Sequence, residues 1–149
     1  MAMSEVAAAV GKGLFAGAAG TAAMTLSSSL EAKLREREPS SAPADAAGKL
    51  LGVKPRDEAG QARFATAVHW AYGTSWGAVR GLIALRSPGA TSATAQHWAA
   101  VWGSSLVMLP ALDVAPAVWE SGAEEAAIDA FHHLVYATAT TVAYSLLDY

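Results

Sequence analysis

The chain has 149 residues, 53% hydrophobic and only 15% charged, so it has room for one domain with an unusually small charged surface. Its formal net charge of −3 argues against nucleic acid as a partner, because a phosphate backbone is bound by basic surfaces. The lack of cysteine excludes disulfides, thiolate metal ligands and cysteine nucleophiles.

Four stretches with little or no charge predict four membrane-spanning helices. Each approaches the roughly 20 residues needed to cross hydrocarbon. The stretches are residues 13–30, 64–85, 92–109 and 126–147. Together with their flanks they predict helices over 13–37, 61–85, 91–109 and 122–147. Because the connections are short, we expect a single membrane domain over 1–149: an all-α, up-down four-helix bundle with a polar interior stripe.

The first predicted helix carries a stripe of small residues. At about 100° per residue, Gly13, Gly17 and Gly20 share one face, which ends at Glu31. Small residues let helices approach closely where lipid surrounds them. The three glycines are therefore predicted to form a helix-packing face.

The polar stretch 38–60 is predicted to be a loop. Most of the Lys and Arg residues lie in or beside it, so the positive-inside rule places this loop in the cytoplasm of a multi-pass protein of the bacterial inner membrane. The connection between the third and fourth helices is purely acidic and falls on the same side of an up-down bundle. We expect ion pairs between these two connections, with Arg35 or Arg37 against Glu120 or Glu124.

The second and fourth predicted helices each turn polar side chains to one face and large apolar side chains to the other. This is the inverse of a soluble bundle and suits a lipid surrounding, where polar groups must find partners inside the protein. Ionisable groups at membrane depth often mark function. The predicted polar interior stripe, with the end of the first helix, consists of Glu31, His69, Tyr72, Arg80, Glu125, Asp129, His132, His133 and Tyr136.

This stripe favours interhelical hydrogen bonds, and a proton or ion path is the main alternative. Acidic residues and histidines in membranes can relay protons, and imidazole titrates near neutral pH. Such a path would use Glu125, Asp129, His132 and Tyr136.

A metal or haem redox site is the second alternative. Asp129 and His132 have the carboxylate–x–x–His spacing of metal sites in helix bundles, with Glu125 and Glu31 as further oxygen ligands. Such a set would suit Mn, Fe or Zn. A haem would take as axial ligands His69 with His133 or His132.

The sequence favours a structural or partner-associating membrane protein over an enzyme. Phosphate-binding loops, dinucleotide fingerprints, nucleophile elbows and H-E-x-x-H motifs are all missing from the sequence. No catalytic residue and no cofactor are expected. The expected partners are the lipid bilayer and either further copies of the chain or a membrane partner subunit, contacted through Gly/Ala faces.

Three strings resemble small bacterial inner-membrane proteins of the YagU-like kind. They are G-A-A-G-T-A-A-M at 17–24, R-E-P-S-S-A-P at 37–43 and H-L-V-Y-A-T at 133–138. The resemblance implies a four-helix inner-membrane protein with an ordered first loop. It implies no reaction.

Overall fold

The computed structural model describes residues 2–38, 40–86 and 89–148, and every regular element in these ranges is an α-helix. The all-α class predicted from the sequence is therefore confirmed. The elements are α1 (Met3–Leu34), α2 (Ala42–Leu51), α3 (Glu58–Ala84), α4 (Ala90–Ala111) and α5 (Ala123–Leu147).

The prediction of a plain loop over 38–60 is wrong, because α2 lies within it. Pro43 stands in the first turn of α2, where the missing N–H of a proline would have had no helical partner. Gly52 ends the helix with φ of 67°, a left-handed conformation that suits glycine. Pro43 therefore starts a short helix and Pro55 follows it.

Helix α1 packs between α3 and α5 and runs antiparallel to both. Its early residue Gly13 meets Gly77 of α3, whereas its later residue Thr25 bonds to His69 of α3. Helix α4 packs against α5 and, less extensively, against α3. Each of the four long helices is thus antiparallel to the next one along the chain.

Glycines bring α1 and α3 into direct backbone contact. A Cβ added to Gly17 would lie 2.8 Å from the Gly77 Cα, and one added to Gly77 would lie 2.6 Å from the Gly17 Cα. A Cβ on Gly13 would collide with the Gly77 carbonyl oxygen. Gly20 faces α5 instead, where a Cβ would lie 2.9 Å from the Tyr136 carbonyl oxygen.

The polarity of the described residues is inverted relative to a soluble protein. Tyr136, His97, Thr21 and Thr140 are the largest fully buried side chains. In contrast, large apolar side chains are strongly exposed, with Phe15 at 77%. Other exposed apolar side chains include Leu26, Leu30, Val107, Phe131, Val142 and Leu146.

One helix of the described residues, α1, is long and apolar enough to cross a membrane by length and composition. Its most apolar window has a mean hydropathy of 1.3, and 33% of that window is buried. The core helix of a soluble protein and a signal sequence near an N-terminus pass the same test. That the four long helices form a bundle embedded in a membrane therefore stays a prediction.

Candidate functional site in the helix interior

At one end of the bundle, His132 of α5 faces the last turns of α1. Its side chain is 7% exposed, and its Nδ1 lies 2.8 Å from the Ser27 hydroxyl oxygen. Its Nε2 lies 3.7 Å from a carboxylate oxygen of Glu31 and hydrogen-bonds to no described residue. His132 and Glu31, predicted as members of one stripe, are therefore neighbours.

Glu31 is held ionised by two arginines that follow it in the chain. Its carboxylate accepts hydrogen bonds from Arg35 Nη1 over 3.2 Å and from Arg37 Nε over 3.0 Å. The hydrogen bond from Arg37, followed by that from Arg35, lowers the pKa of Glu31 from 4.5 to about 2. The Glu31 carboxylate also raises the pKa of Arg37.

Arg35 connects this cluster to the start of α5. Its Nη2 lies 3.3 Å from a Glu124 carboxylate oxygen and 2.5 Å from one of Glu125. The predicted ion pair of Arg35 with Glu124 is confirmed, and the closer contact is to Glu125. The hydrogen bond from Arg35 lowers the pKa of Glu125. The basic connection after α1 and the acidic connection before α5 thus meet on one side of the protein, as predicted from the sequence.

Asp129 contacts a different set of residues from His132. Its Oδ2 accepts a hydrogen bond from Trp102 Nε1 of α4 over 2.9 Å. His133 Nδ1 lies 2.8 Å from the Asp129 backbone carbonyl and 3.4 Å from its Oδ1. On α5, Asp129 therefore faces α4 and His132 faces α1, although both lie on one predicted stripe.

In the middle of the bundle, His69 and Tyr136 tie helices together. His69 Nε2 lies 2.8 Å from the Thr25 hydroxyl oxygen of α1. The Tyr136 hydroxyl donates to the Gly73 carbonyl oxygen over 2.5 Å. Tyr72, placed in the same stripe by its helical position, is 37% exposed at the surface.

Towards the opposite end, Arg80 is buried with its charge unpaired by any described carboxylate. Only 4% of the residue is exposed. Its Nε donates to the Thr141 hydroxyl oxygen over 3.1 Å, and its guanidinium carbon lies 4.6 Å from the Tyr144 ring centre. Its Nη1 is buried without a hydrogen-bond partner among the described residues.

Several interior residues were missed by the sequence analysis because they are hydroxyls on helix faces dominated by small residues. Thr25 and Thr141 each bond to a stripe residue, as does Ser27, which the helical spacing already places on the glycine face of α1. In the sequence these residues are marked only by a hydroxyl group on a helix face. Choosing them requires knowledge of which helices are neighbours.

The side chains considered as metal or haem ligands are engaged elsewhere. Within residues 2–38, 40–86 and 89–148, no three His, Asp or Glu side chains are grouped to hold a metal ion. Glu31 and Glu125 face arginines, and Asp129 accepts from Trp102. The histidines considered for haem bond to Thr25, to Ser27 or to the backbone of α5.

No family model, curated protein or solved structure matches this chain. The YagU-like resemblance of segments 17–24, 37–43 and 133–138 therefore stays a prediction. What the chain does has to be inferred from its own interior and surface.

Proposed function

We propose that this chain is an integral protein of the bacterial inner membrane, a multi-pass helical bundle with a structural or partner-associating role. Its polar interior holds the helices together. Its apolar surface contacts lipid and, in places, further copies of the chain or a partner subunit. In this proposal the spanning segments are residues 13–30, 64–85, 92–109 and 126–147.

The observation that carries this proposal is the inverted polarity of the bundle. Burial of threonine, histidine, arginine and tyrosine beside exposed phenylalanine and leucine is unfavourable in water, where large apolar side chains drive folding. In a bilayer the same arrangement is favourable, since lipid tails solvate the apolar side chains and the polar groups bond to one another.

Among the described helices only α1 passes the length-and-hydropathy test for a membrane span, and this is compatible with the proposal. A mean over a whole helix counts the inward and outward faces alike. Arg80, His97 and His132 lower the mean of α3, α4 and α5, yet each is buried away from the surroundings. The outward faces alone, with Phe131, Val142 and similar side chains, are what lipid would contact.

A structural role for the interior is supported by the bonds between helices. His69 bonds α3 to α1, Tyr136 bonds α5 to α3, and Arg80 bonds α3 to α5. His97 Nε2 lies 3.0 Å from the Trp76 carbonyl oxygen and connects α4 to α3. Polar interhelical bonds of this kind hold membrane bundles together, each contributing about 0.6 to 2 kcal/mol.

The orientation follows from the distribution of basic residues. The segment from α1 to α3 and the segment from α4 to α5 lie at one end, as the contacts of Arg35 with Glu124 and Glu125 require. Lys49 of α2 lies at that end too, with its Nζ 2.8 Å from the Asp113 carbonyl oxygen. By the positive-inside rule this end is cytoplasmic.

Single cysteines test the membrane location, because the natural chain has none. Phe15→Cys places a thiol on the exposed outer face of α1, and Arg56→Cys places one on the exposed connection before α3. In membranes opened to both sides, a charged maleimide should label Arg56→Cys rapidly and leave Phe15→Cys unlabelled, because a thiol in hydrocarbon forms no thiolate. Both should label after denaturation in detergent.

Equal labelling of the two cysteines in native membranes would show that Phe15 contacts water and would overturn the proposal. Extraction at alkaline pH gives an independent reading on the unmodified chain. An integral protein stays with the membrane pellet, whereas recovery in the supernatant would mean that the protein is not embedded.

A proton- or ion-handling role is the second candidate, and one contact favours it. His132 Nε2 has no described hydrogen-bond partner and stands 3.7 Å from the Glu31 carboxylate, near the cytoplasmic end. Proton flux into liposomes would be compared for the natural chain, His132→Gln and the control His133→Gln. A flux no greater than that of empty vesicles would remove this candidate.

A further inference from the structure

A buried cation without a carboxylate is the least explained group in this protein. The charge of Asp148 acts on Arg80 only from a distance, and Asp148 pairs with Lys12 over 2.6 Å. No Asp or Glu within the described ranges lies at salt-bridge distance from Arg80. Burying an arginine in apolar surroundings is costly unless an anion or several acceptors compensate it. Thr141 and the Tyr144 ring compensate it only in part.

An open groove between α4 and α5 shares one residue, Thr141, with the surroundings of this cation. It has a volume of about 430 Å³, and Thr141 is part of its wall. The same Thr141 hydroxyl oxygen accepts the hydrogen bond from Arg80 Nε. A negatively charged atom in contact with this hydroxyl would thus lie within about 6 Å of the guanidinium, where opposite charges interact strongly.

The remainder of the groove is mainly apolar. Trp98, Leu134 and Val142 contribute its large side chains, and Thr94 and Thr138 add hydroxyl groups. Such walls suit a hydrocarbon chain with a polar end, rather than a small hydrated anion. The groove therefore has mainly apolar walls and one wall residue, Thr141, that bonds to a cation buried behind it.

Along the bundle, Arg80 and the apolar walls of the groove follow each other in the same order as the charged head and the apolar chain of a lipid. Arg80 stands four residues before the end of α3, about 6 Å along the helix axis. Helix α4 begins at the same end, at Ala90, and Trp98 lies about 12 Å further into the bundle. Arg80 is thus near the membrane surface, and the apolar part of the groove extends from there towards the middle of the bundle.

We propose that this groove binds an anionic phospholipid, with its phosphate against Thr141, in front of the buried Arg80, and one acyl chain along Trp98 and Leu134. This inference rests on the proposed membrane location. Thr141 in the wall of the groove would contact a phosphate oxygen, and the Arg80 guanidinium buried behind it would attract the negative charge of the phosphate. The net negative charge of the lipid balances the buried guanidinium.

Native mass spectrometry of the full chain with phosphatidylglycerol and phosphatidylcholine tests this site. The natural protein should retain phosphatidylglycerol about tenfold more strongly, since an opposite charge within about 6 Å favours the charged group by about that factor. Arg80→Gln should bring the two lipids within about twofold of each other. Arg86→Gln is the matched control, because it removes the same charge at the same end from an exposed position.

Ala95→Phe is a second variant that leaves the cation in place. Ala95 is exposed and lines the groove, so a phenyl ring there fills the groove without disturbing the core. It should abolish the preference for phosphatidylglycerol. Inorganic phosphate at millimolar concentration should not displace the lipid, because the acyl chain contributes to binding.

Four results would overturn the inference: equal retention of both lipids by the natural protein, an unchanged preference in Arg80→Gln, an unchanged preference in Ala95→Phe, or displacement by inorganic phosphate. The first of these needs no variant and so does not depend on how Arg80→Gln folds. Alkaline extraction separates the two proposals. A protein that stays in the pellet but shows no lipid preference retains its membrane role and loses only the lipid site.

Discussion

The hydroxyl of Tyr136 on α5 donates a hydrogen bond to the backbone carbonyl of Gly73 on α3 over 2.5 Å. The Tyr136 ring is 2% exposed and lies 5.4 Å from the His97 ring of α4. A Cβ on Gly20 of α1 would lie 3.0 Å from the Tyr136 ring. All four long helices therefore meet at this tyrosine.

Tyr136→Phe should destabilise the protein by about 1 kcal/mol, because the ring is retained and one interhelical hydrogen bond is lost. The measurement is the unfolding free energy in detergent, by titration with a denaturing detergent. Tyr72→Phe is the matched control. Residues 69–74 and 133–138 both read H-x-x-Y-small-T, so Tyr72 is the counterpart of Tyr136, but it is 37% exposed. Equal effects of the two variants would show that the Tyr136 bond contributes nothing specific.

Helical periodicity predicts the inward positions of His132 and Tyr136, but Tyr72 and Asp129 of the same predicted stripe are exposed, and periodicity does not show which helices a face meets. The glycine face of α1 follows from spacing alone, because residues three and four apart share a side. That this face divides between α3, at Gly17, and α5, at Gly20, depends on how three helices pack. The same limit explains why Asp129 and His132 were grouped, since one stripe can straddle two interfaces.

The short helix α2 does not follow from the sequence pattern, because proline is as common in loops as at the start of a helix. Pro43 fits the first turn of a helix as well as it fits a loop. The helix buries Ala44 and Ala46, and small apolar residues carry little periodic signal. The hydrogen bond from Arg80 to Thr141 cannot be predicted from the sequence either, since Thr141 is one of many residues with a hydroxyl group.

Gly77→Ala should destabilise the bundle by about 1 to 3 kcal/mol, as expected for overpacking. The added Cβ would collide with the Gly13 carbonyl oxygen and with the Gly17 Cα, and backbone atoms cannot move aside as a side chain can. Gly103→Ala is the control on α4, where an added Cβ meets nothing within 4 Å. It should be neutral or stabilising by up to about 1 kcal/mol, because alanine favours a helix.

The two glycine variants are compared by the same unfolding titration. Equal destabilisation by both would indicate that the close contact of α1 with α3 is not required. Crosslinking between cysteines placed at exposed positions of α1 and α3 would show whether the two helices separate in Gly77→Ala.

Stability should fall in acid partly through Glu31. Its pKa of about 2 in the folded protein is below the usual 4.5, so the ionised form stabilises the fold. This contribution is complete above about pH 4.5 and is lost as the pH falls towards about 2. Glu31→Gln should therefore lower stability at neutral pH and flatten its decline in acid.

Glu36→Gln is the control for that pH dependence, since Glu36 is an exposed carboxylate in the same segment. Thermal unfolding is followed between about pH 6 and pH 3, the range in which a depressed carboxyl pKa changes stability. A difference between the natural chain and Glu31→Gln that stays constant with pH would contradict the assignment.

Lys49 should hold the segment between α4 and α5 in place. Its Nζ donates to the carbonyl oxygens of Leu112, over 2.5 Å, and Asp113, over 2.8 Å, at the end of α4. These carbonyls have no partner within the helix, so a cation there also interacts favourably with the helix dipole. Lys49→Met should speed amide hydrogen exchange in residues 112–122 and leave exchange in the centre of α5 unchanged.

A cavity of about 470 Å³ lies between α2, α3 and the α4–α5 connection, and both Lys49 and Lys54 line it. Lys54→Met is the matched control, because Lys54 is also exposed. Exchange measured by mass spectrometry should be close to that of the natural chain in this variant. Faster exchange of 112–122 in both variants would mean that net charge in the cavity, and not the bond from Lys49, orders the connection. Because Lys49 lies on α2, an effect specific to Lys49→Met would also show that this short helix positions the far connection of the bundle.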